Sequence, residues 1–414
     1  MVAQSLYQNI AVLAAFLLAY AFVAGRVERS WLSGPIIFTL AGLALGKDGL
    51  GLLQLQLIAE PLRILAELTL AMVLFSDAAN ADFRVLRANL GIPQRLLLIG
   101  LPLTVILGAA AAFWLFPWLD PLEMGLLAAM LAPTDAALGR PVVTNAAVPA
   151  RIREGLNVES GLNDGICVPL VVILLGLAIG TQIEGGTPAH VVFVVAEEIG
   201  IGLAVGLALT AGGMWLLDRA ERHGWTSESW RDIPLAALAA ACFALAQAIG
   251  GSGFIACFTG GLLLSPSPHA RKEKLLRGTE NTGEALALLT WVLFGAAAIG
   301  PLLARVTWPT LAYAALSLTV IRMLPVFLCL IGTGTSLAAK LFIGWFGPRG
   351  LASIVFGIIV LDEHLPGNDT LILTVACTVA LSVLAHGISA NPLVHWLAAR
   401  LGTGGDAAAA TGEA

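Results

Sequence analysis

Charge is what this 414-residue chain has least of. Asp, Glu, Lys and Arg make up 12% of it, against roughly 25% in a soluble domain. Hydrophobic residues make up 58%, and the mean hydropathy is +0.88. That scarcity excludes an ordinary water-soluble fold. The net charge of −5 is small and spread out, which argues against nucleic acid as a partner. Cysteine is also sparse. Cys167, Cys242, Cys257, Cys329 and Cys377 all fall in apolar runs with no CxxC pair, so they read as small buried hydrophobes. The first apolar run lacks a basic stretch before it and a small-residue cleavage site, so no cleavable leader is expected. The stretch 404–414 is expected to be disordered, with no soluble regulatory domain after the membrane region.

What fills the chain is apolar sequence in lengths of about 20 residues, enough to cross a hydrocarbon core of about 30 Å. The 45 glycines suit close packing of such helices. The expected fold class is an all-α polytopic membrane protein, with 1–403 as one transmembrane domain. Thirteen segments are expected, at about 7–25, 34–46, 61–79, 95–117, 122–143, 155–179, 189–217, 233–249, 253–265, 282–300, 308–331, 335–360 and 369–389. Basic residues cluster after the odd-numbered segments: Arg26 and Arg29; Arg84, Arg87 and Arg95; Arg140, Arg151 and Arg153; Arg219, Arg222 and Arg231; Arg271, Lys272, Lys274 and Arg277. Loops after even-numbered segments hold only Lys47, Arg63 and Arg305. The excess of positive charge on cytoplasmic loops then puts the N-terminus outside and the C-terminus in the cytoplasm of an inner (plasma) membrane.

An internal repeat is visible. GPIIFTLAGLAL (34–45) aligns with GFIACFTGGLLL (253–264), matching Gly34 to Gly253 and Gly42 to Gly261. At the same offset VLFSDAA (73–79) aligns with VLFGAAA (292–298). A nearby offset aligns LTVI (103–106) with LTVI (318–321) and Pro133 with Pro348. Segments 2 to 5 thus pair with 9 to 12, an odd shift that reverses direction across the membrane. The expected copies, about 7–179 and 233–389, are inverted repeats joined by a linker helix at 189–217. Secondary transporters are built this way, with sites near the midplane on broken helices.

The matched prolines mark two such breaks. APTDAALGRP carries Pro133, Thr134 and Asp135 in mid-span, and GWFGPRGLAS carries Pro348 and Arg349. A proline removes a backbone donor and kinks or breaks a helix. Irregular backbone at that depth is tolerated only where protein or water covers it. Asp135 and Arg349 could each compensate the freed helix ends, or Asp135 could bind an ion. Segment 6 carries Glu159, Ser160, Asn163 and Asp164. Ser160 and Asp164 share a face, as do Glu159 and Asn163. These oxygen donors, with no His or Cys among them, suit a hard cation rather than a transition metal. Asp77 is a third carboxylate, near the end of segment 3. Arg322 needs a counter-charge at depth, and Glu159 is the best candidate.

Ionisable groups inside a membrane segment mark function by default. A carboxylate removed from water holds a proton more readily, so a proton and a small cation can compete for one set of oxygens. Exchange follows if the site alternates between sides. An intramembrane aspartyl-type hydrolase would explain paired acids but not two matched breaks. A cation channel would need a ring of charges or carbonyls, and none is visible.

The runs APTDAALGRPVV, VPARIREGLNVESGLNDG and GWFGPRGLAS resemble the monovalent cation:proton antiporter family, in its bacterial NhaP-type and animal sodium/hydrogen exchanger branch. The resemblance extends from segment 1 to SANPL (389–393). It implies a thirteen-helix fold, a homodimer, and elevator-like movement of a core domain against a dimerisation domain. It implies a transporter serving pH homeostasis rather than an enzyme, with no cofactor beyond its cargo: a proton and Na+, with Li+ or K+ as alternatives. Asp164 matches the family's cation and proton carrier. Asp135, Ser160 and Thr134 match further ligands, and Asp77 stands where relatives often carry Glu. Glu159 and Arg322 match a buried structural ion pair that would orient Asn163. The Asn163–Asp164 pair implies electroneutral one-for-one exchange. Gly161 departs from the pattern, standing where a bulky residue is usual.

Overall fold

The computed structural model describes residues 2–27, 33–53, 60–81, 91–135, 138–143, 145, 147–180, 188–267 and 269–410. Among them every regular element is helical. The helices are α1 (Val2–Val27), α2 (Gly34–Leu45), α3 (Glu60–Asn80), α4 (Pro93–Leu115), α5 (Pro121–Met130), α6 (Arg140–Val143), α7 (Ala150–Gly180), α8 (Pro188–Arg222) and α9 (Ile233–Ala248). They continue with α10 (Gly253–Leu264), α11 (His269–Ala297), α12 (Ile299–Arg305), α13 (Trp308–Leu318), α14 (Val320–Cys329), α15 (Leu337–Trp345), α16 (Leu351–Asp362) and α17 (Asn368–Ala410). Each expected segment coincides with one helix or with helices in series. Arg29, Arg84 and Arg87 lie outside the described residues. The last helix continues to Ala410, into the stretch expected to be disordered, and 411–414 lie outside the described residues.

Among the described residues, eight helical stretches are long and apolar enough to cross a membrane. Four more apolar helices, α2, α5, α10 and α16, are only 10 to 12 residues long. At 1.5 Å per residue they cover about 15–18 Å, little more than half a hydrocarbon core. Two of them, α5 and α16, adjoin the stretches of irregular chain around Pro133 and Pro348.

The helices form two bundles. One gathers α2, α3 and α8 to α11; the other gathers α4 to α7 and α13 to α17. In the first, α2 packs on α11 and α10 packs on α3. Under the sequence repeat each of these contacts is the image of the other. The matched glycines explain how both form. A Cβ on Gly42 would collide with the Val292 carbonyl oxygen of α11, and one on Gly261 with the Phe75 carbonyl oxygen of α3. The same small residue in each copy admits the main chain of its partner helix.

Among the described residues, two groups of contacts join loops and helix ends. In one, Arg63 pairs with Asp362, Arg305 with Asp369 at 2.6 Å, and the Gly367 N–H donates to Glu123 at 2.7 Å. These contacts gather the loops after segments 2, 4, 10 and 12. In the other, Arg95 donates to the Ile331 carbonyl at 2.7 Å, Lys272 to the Ala79 and Ser265 carbonyls, and Arg271 pairs with Asp218 and Glu221. Arg95, Arg271 and Lys272 are among the basic residues of the arginine-rich loops. All five cysteines are free and buried, four of them inside the larger apolar core, as their surroundings in the sequence suggested.

Candidate functional site

The two interrupted helices meet. The first leaves helical geometry after Met130 and the second after Trp345, each just before its proline. The Asp135 N–H donates to the Pro348 carbonyl at 2.7 Å. The Asp135 carboxylate accepts the Leu351 N–H at 2.8 Å, at the start of α16, and the Leu138 N–H at 3.3 Å. In return Arg349 donates from Nη1 to the carbonyls of Ala132 at 2.6 Å and Pro133 at 3.1 Å, just past the end of α5. Ser353 adds a bond to the Met130 carbonyl at 2.7 Å. An anion thus faces a helix N-terminus and a cation faces a helix C-terminus, the favourable sense for both dipoles. Both residues perform the compensating role that the sequence left open. The approach depends on Gly350, where a Cβ would overlap the Asp135 carboxylate.

Beside this crossing, α7 presents its polar face. Glu159, Ser160, Asn163 and Asp164 are all buried. Arg322 of α14 meets Glu159 through two parallel bonds, so the expected pair is present. One other expectation, at Asn163, needs correcting. Ser160 shares a face with Asp164 but does not hydrogen-bond it. Its hydroxyl donates to the Thr134 carbonyl, because the unwound backbone brings that acceptor alongside. Nor is Asn163 oriented by the ion pair. Its Nδ2 donates to Thr134 Oγ1 at 2.6 Å, and that hydroxyl faces Ser160 Oγ at 3.5 Å. Glu159 and Arg322 pair with each other instead.

These contacts leave two oxygens exposed to nothing. Asp164 Oδ1 and Asn163 Oδ1 are both sealed from solvent without a hydrogen-bond partner among the described residues. Buried acceptors of this kind are rare unless something else satisfies them. A hard monovalent cation bound by oxygens would do so. Asp77 of α3 faces the same region across Gly161, where a Cβ would lie 3.5 Å from that of Asp77. A bulky residue at 161 would press on Asp77, so the departure noted in the sequence makes room for it. Asp77, Asp135 and Asp164 lie within electrostatic reach of one another. Among the described residues no three His, Cys, Asp or Glu side chains are gathered closely enough to hold a metal ion.

Several residues of this region were not foreseen. Gly347 admits Arg322, and Gly165 admits the Phe258 ring beside Asp164. Ser382 and His386 of α17 contact the second break from behind. His386 carried a usable signal, since it is an ionisable residue inside the apolar run VALSVLAHGISA. The glycines carried none, because their neighbours come from other segments.

Fold and site together define a polytopic helical membrane protein of the transporter class, with a buried oxygen-lined site where two broken helices cross. The chain belongs to the sodium/hydrogen exchanger, transmembrane family, which it matches over residues 12–396. It is 25% identical over 357 residues to the K(+)/H(+) antiporter NhaP2 of Shewanella sp. (strain ANA-3), covering 86% of this chain and 61% of that protein. To the K(+)/H(+) antiporter NhaP of Alkalimonas amylolytica it is 25% identical, over 94% of this chain and 67% of the relative. The Na(+)/H(+) antiporter ApNhaP of Aphanothece halophytica is 29% identical over 52% of this chain and 40% of its own length. This chain therefore spans about three-fifths of the first of these relatives. Among solved structures, the sodium proton antiporter MjNhaP1 of Methanocaldococcus jannaschii superposes with a TM-score of 0.71 at 20% identity, over 92% of this chain and 99% of that one. That likeness establishes the antiporter fold.

Proposed function

We propose that the chain exchanges a monovalent alkali cation for a proton across the membrane by alternating access. The observation that carries this reading is the pair of unsatisfied buried oxygens, Asp164 Oδ1 and Asn163 Oδ1, beside the crossing. A carboxylate in that position can be satisfied by a proton or by a cation but not by both at full strength. Competition for one site, presented to each side in turn, is sufficient for antiport. Asp164 is the shared carrier. Thr134 and Ser160 supply neutral oxygens, Asp135 orders the crossing and adds negative potential, and Asp77 lines the approach. With Asn163 neutral beside Asp164, one cation replaces one proton and exchange is electroneutral. Thirteen crossings, inverted repeats, a homodimer and an inner-membrane location with the N-terminus outside belong to the same reading. The relatives named for K+ and for Na+ leave both ions as substrates to test.

The test is a pH-gradient assay in proteoliposomes with Na+, K+ and Li+ added singly. Cation-driven dissipation of the gradient, unchanged when the voltage is clamped, is expected for at least one ion. Failure of all three to dissipate the gradient would contradict the proposal.

A further inference from the structure

The break between α15 and α16 is held from behind by two residues of α17 that no transport role has yet claimed. Ser382 and His386 are one helical turn apart and fully buried, at 0% and 1% exposure. Ser382 Oγ accepts the Arg349 N–H at 2.7 Å. His386 Nε2 lies 2.8 Å from the Trp345 carbonyl oxygen, which can only accept, so Nε2 carries a hydrogen. Nδ1 lies 3.2 Å from Ser382 Oγ and 2.9 Å from the Ser382 carbonyl. Nδ1 thus faces both Ser382 oxygens, the hydroxyl and a carbonyl that can only accept. Arg349 N–H to Ser382 Oγ, Ser382 Oγ to His386 Nδ1, and His386 Nε2–H to Trp345 O form one continuous chain of contacts. It spans Phe346, Gly347 and Pro348, the residues that interrupt the helix. Trp345 and Phe346 lie against the imidazole with ring centroids 5.2 and 6.2 Å away. The charged groups bearing on the ring are Arg349 and Arg322, from the break itself and from α14.

We infer that Ser382 and His386 are positioning residues for the cation site. They fix the main chain on both sides of the second break. Arg349 is thereby placed to cap α5, and the Leu351 N–H two residues on is placed to hold Asp135. The inference rests on the proposed exchange, and wild-type vesicles in the same assay separate the two. If wild type does not exchange, the function fails; if it exchanges, the variants decide the clamp.

The variants are His386→Leu, His386→Gln and Ser382→Ala, each in full-length protein. Apparent KM and Vmax for the cation are measured in proteoliposomes, and the cation-induced rise in Tm is measured in detergent. Losing a buried hydrogen bond at this point should raise the apparent KM of His386→Leu by about fivefold or more, with a smaller change in Vmax. The same variant should show a weaker cation-induced rise in Tm. Gln offers a donor to Trp345 and an acceptor to Ser382, so it should restore KM to within about twofold of wild type. Ser382→Ala should resemble the leucine variant. An unchanged KM in His386→Leu would overturn the inference. So would equal impairment of the Leu and Gln variants, or a loss of resting Tm in all three with KM unaltered.

Discussion

Arg322 meets Glu159 end on, Nη1 to Oε1 at 2.5 Å and Nη2 to Oε2 at 2.8 Å, with both side chains buried. The pair joins α14 to α7, the helix that carries Asp164. It also touches the second break, since Gly347 has no room for a Cβ against the Arg322 guanidinium. A buried pair is not itself strong evidence of stability, because removing two charges from water is costly. Breaking it is another matter.

Glu159→Ala leaves the Arg322 cation buried without its counter-ion, a change that costs about 3–5 kcal/mol where both partners are buried. The expected outcome is a large fall in Tm and in membrane yield. The cation affinity of whatever protein survives should change less. A normal Tm would contradict the pairing. Arg305→Ala is the contrasting case. Its partner Asp369 is exposed, and exposed pairs contribute little, so its Tm should match wild type.

Gly350→Ala tests the crossing directly. The added methyl would occupy the position of the Asp135 carboxylate. Asp135 must then leave the N-terminus of α16, and exchange should fall by at least about tenfold, the effect of losing one charge-assisted bond. Exchange at the wild-type rate would mean that Asp135 does not need that amide.

Arg349→Leu removes the donor to the Ala132 and Pro133 carbonyls and leaves the end of α5 uncapped in the bundle interior. Arg349→Lys keeps one charged donor but not the planar fork. The leucine variant should therefore lose more stability and more exchange than the lysine variant, judged by Tm and by vesicle assay. Equal behaviour of the two would argue that charge at this position has no role.

The sequence made the breaks legible through Pro133 and Pro348, and the ion pair through the need of Arg322 for a counter-charge. Helix spacing could show only which residues share a face. It put Ser160 with Asp164, whereas Thr134 captured both Ser160, through its carbonyl, and Asn163, through its hydroxyl. That acceptor comes from another segment, where helical spacing no longer applies. Gly347 and Gly350 were hidden for a similar reason. A missing side chain gives no sign of what fills its place until the partner, Arg322 or Asp135, is located. Gly161 looked like a departure from the family pattern and turned out to face Asp77.

The central claim is that Asp164 carries the cation and the proton in turn. Asn is close to Asp in shape and cannot ionise, so Asp164→Asn should fold as wild type does. Reconstituted in proteoliposomes and challenged with Na+, K+ and Li+ against a pH gradient, it should show no cation-driven proton movement. Its yield and Tm should be preserved. Cation-driven exchange retained by Asp164→Asn would contradict the account.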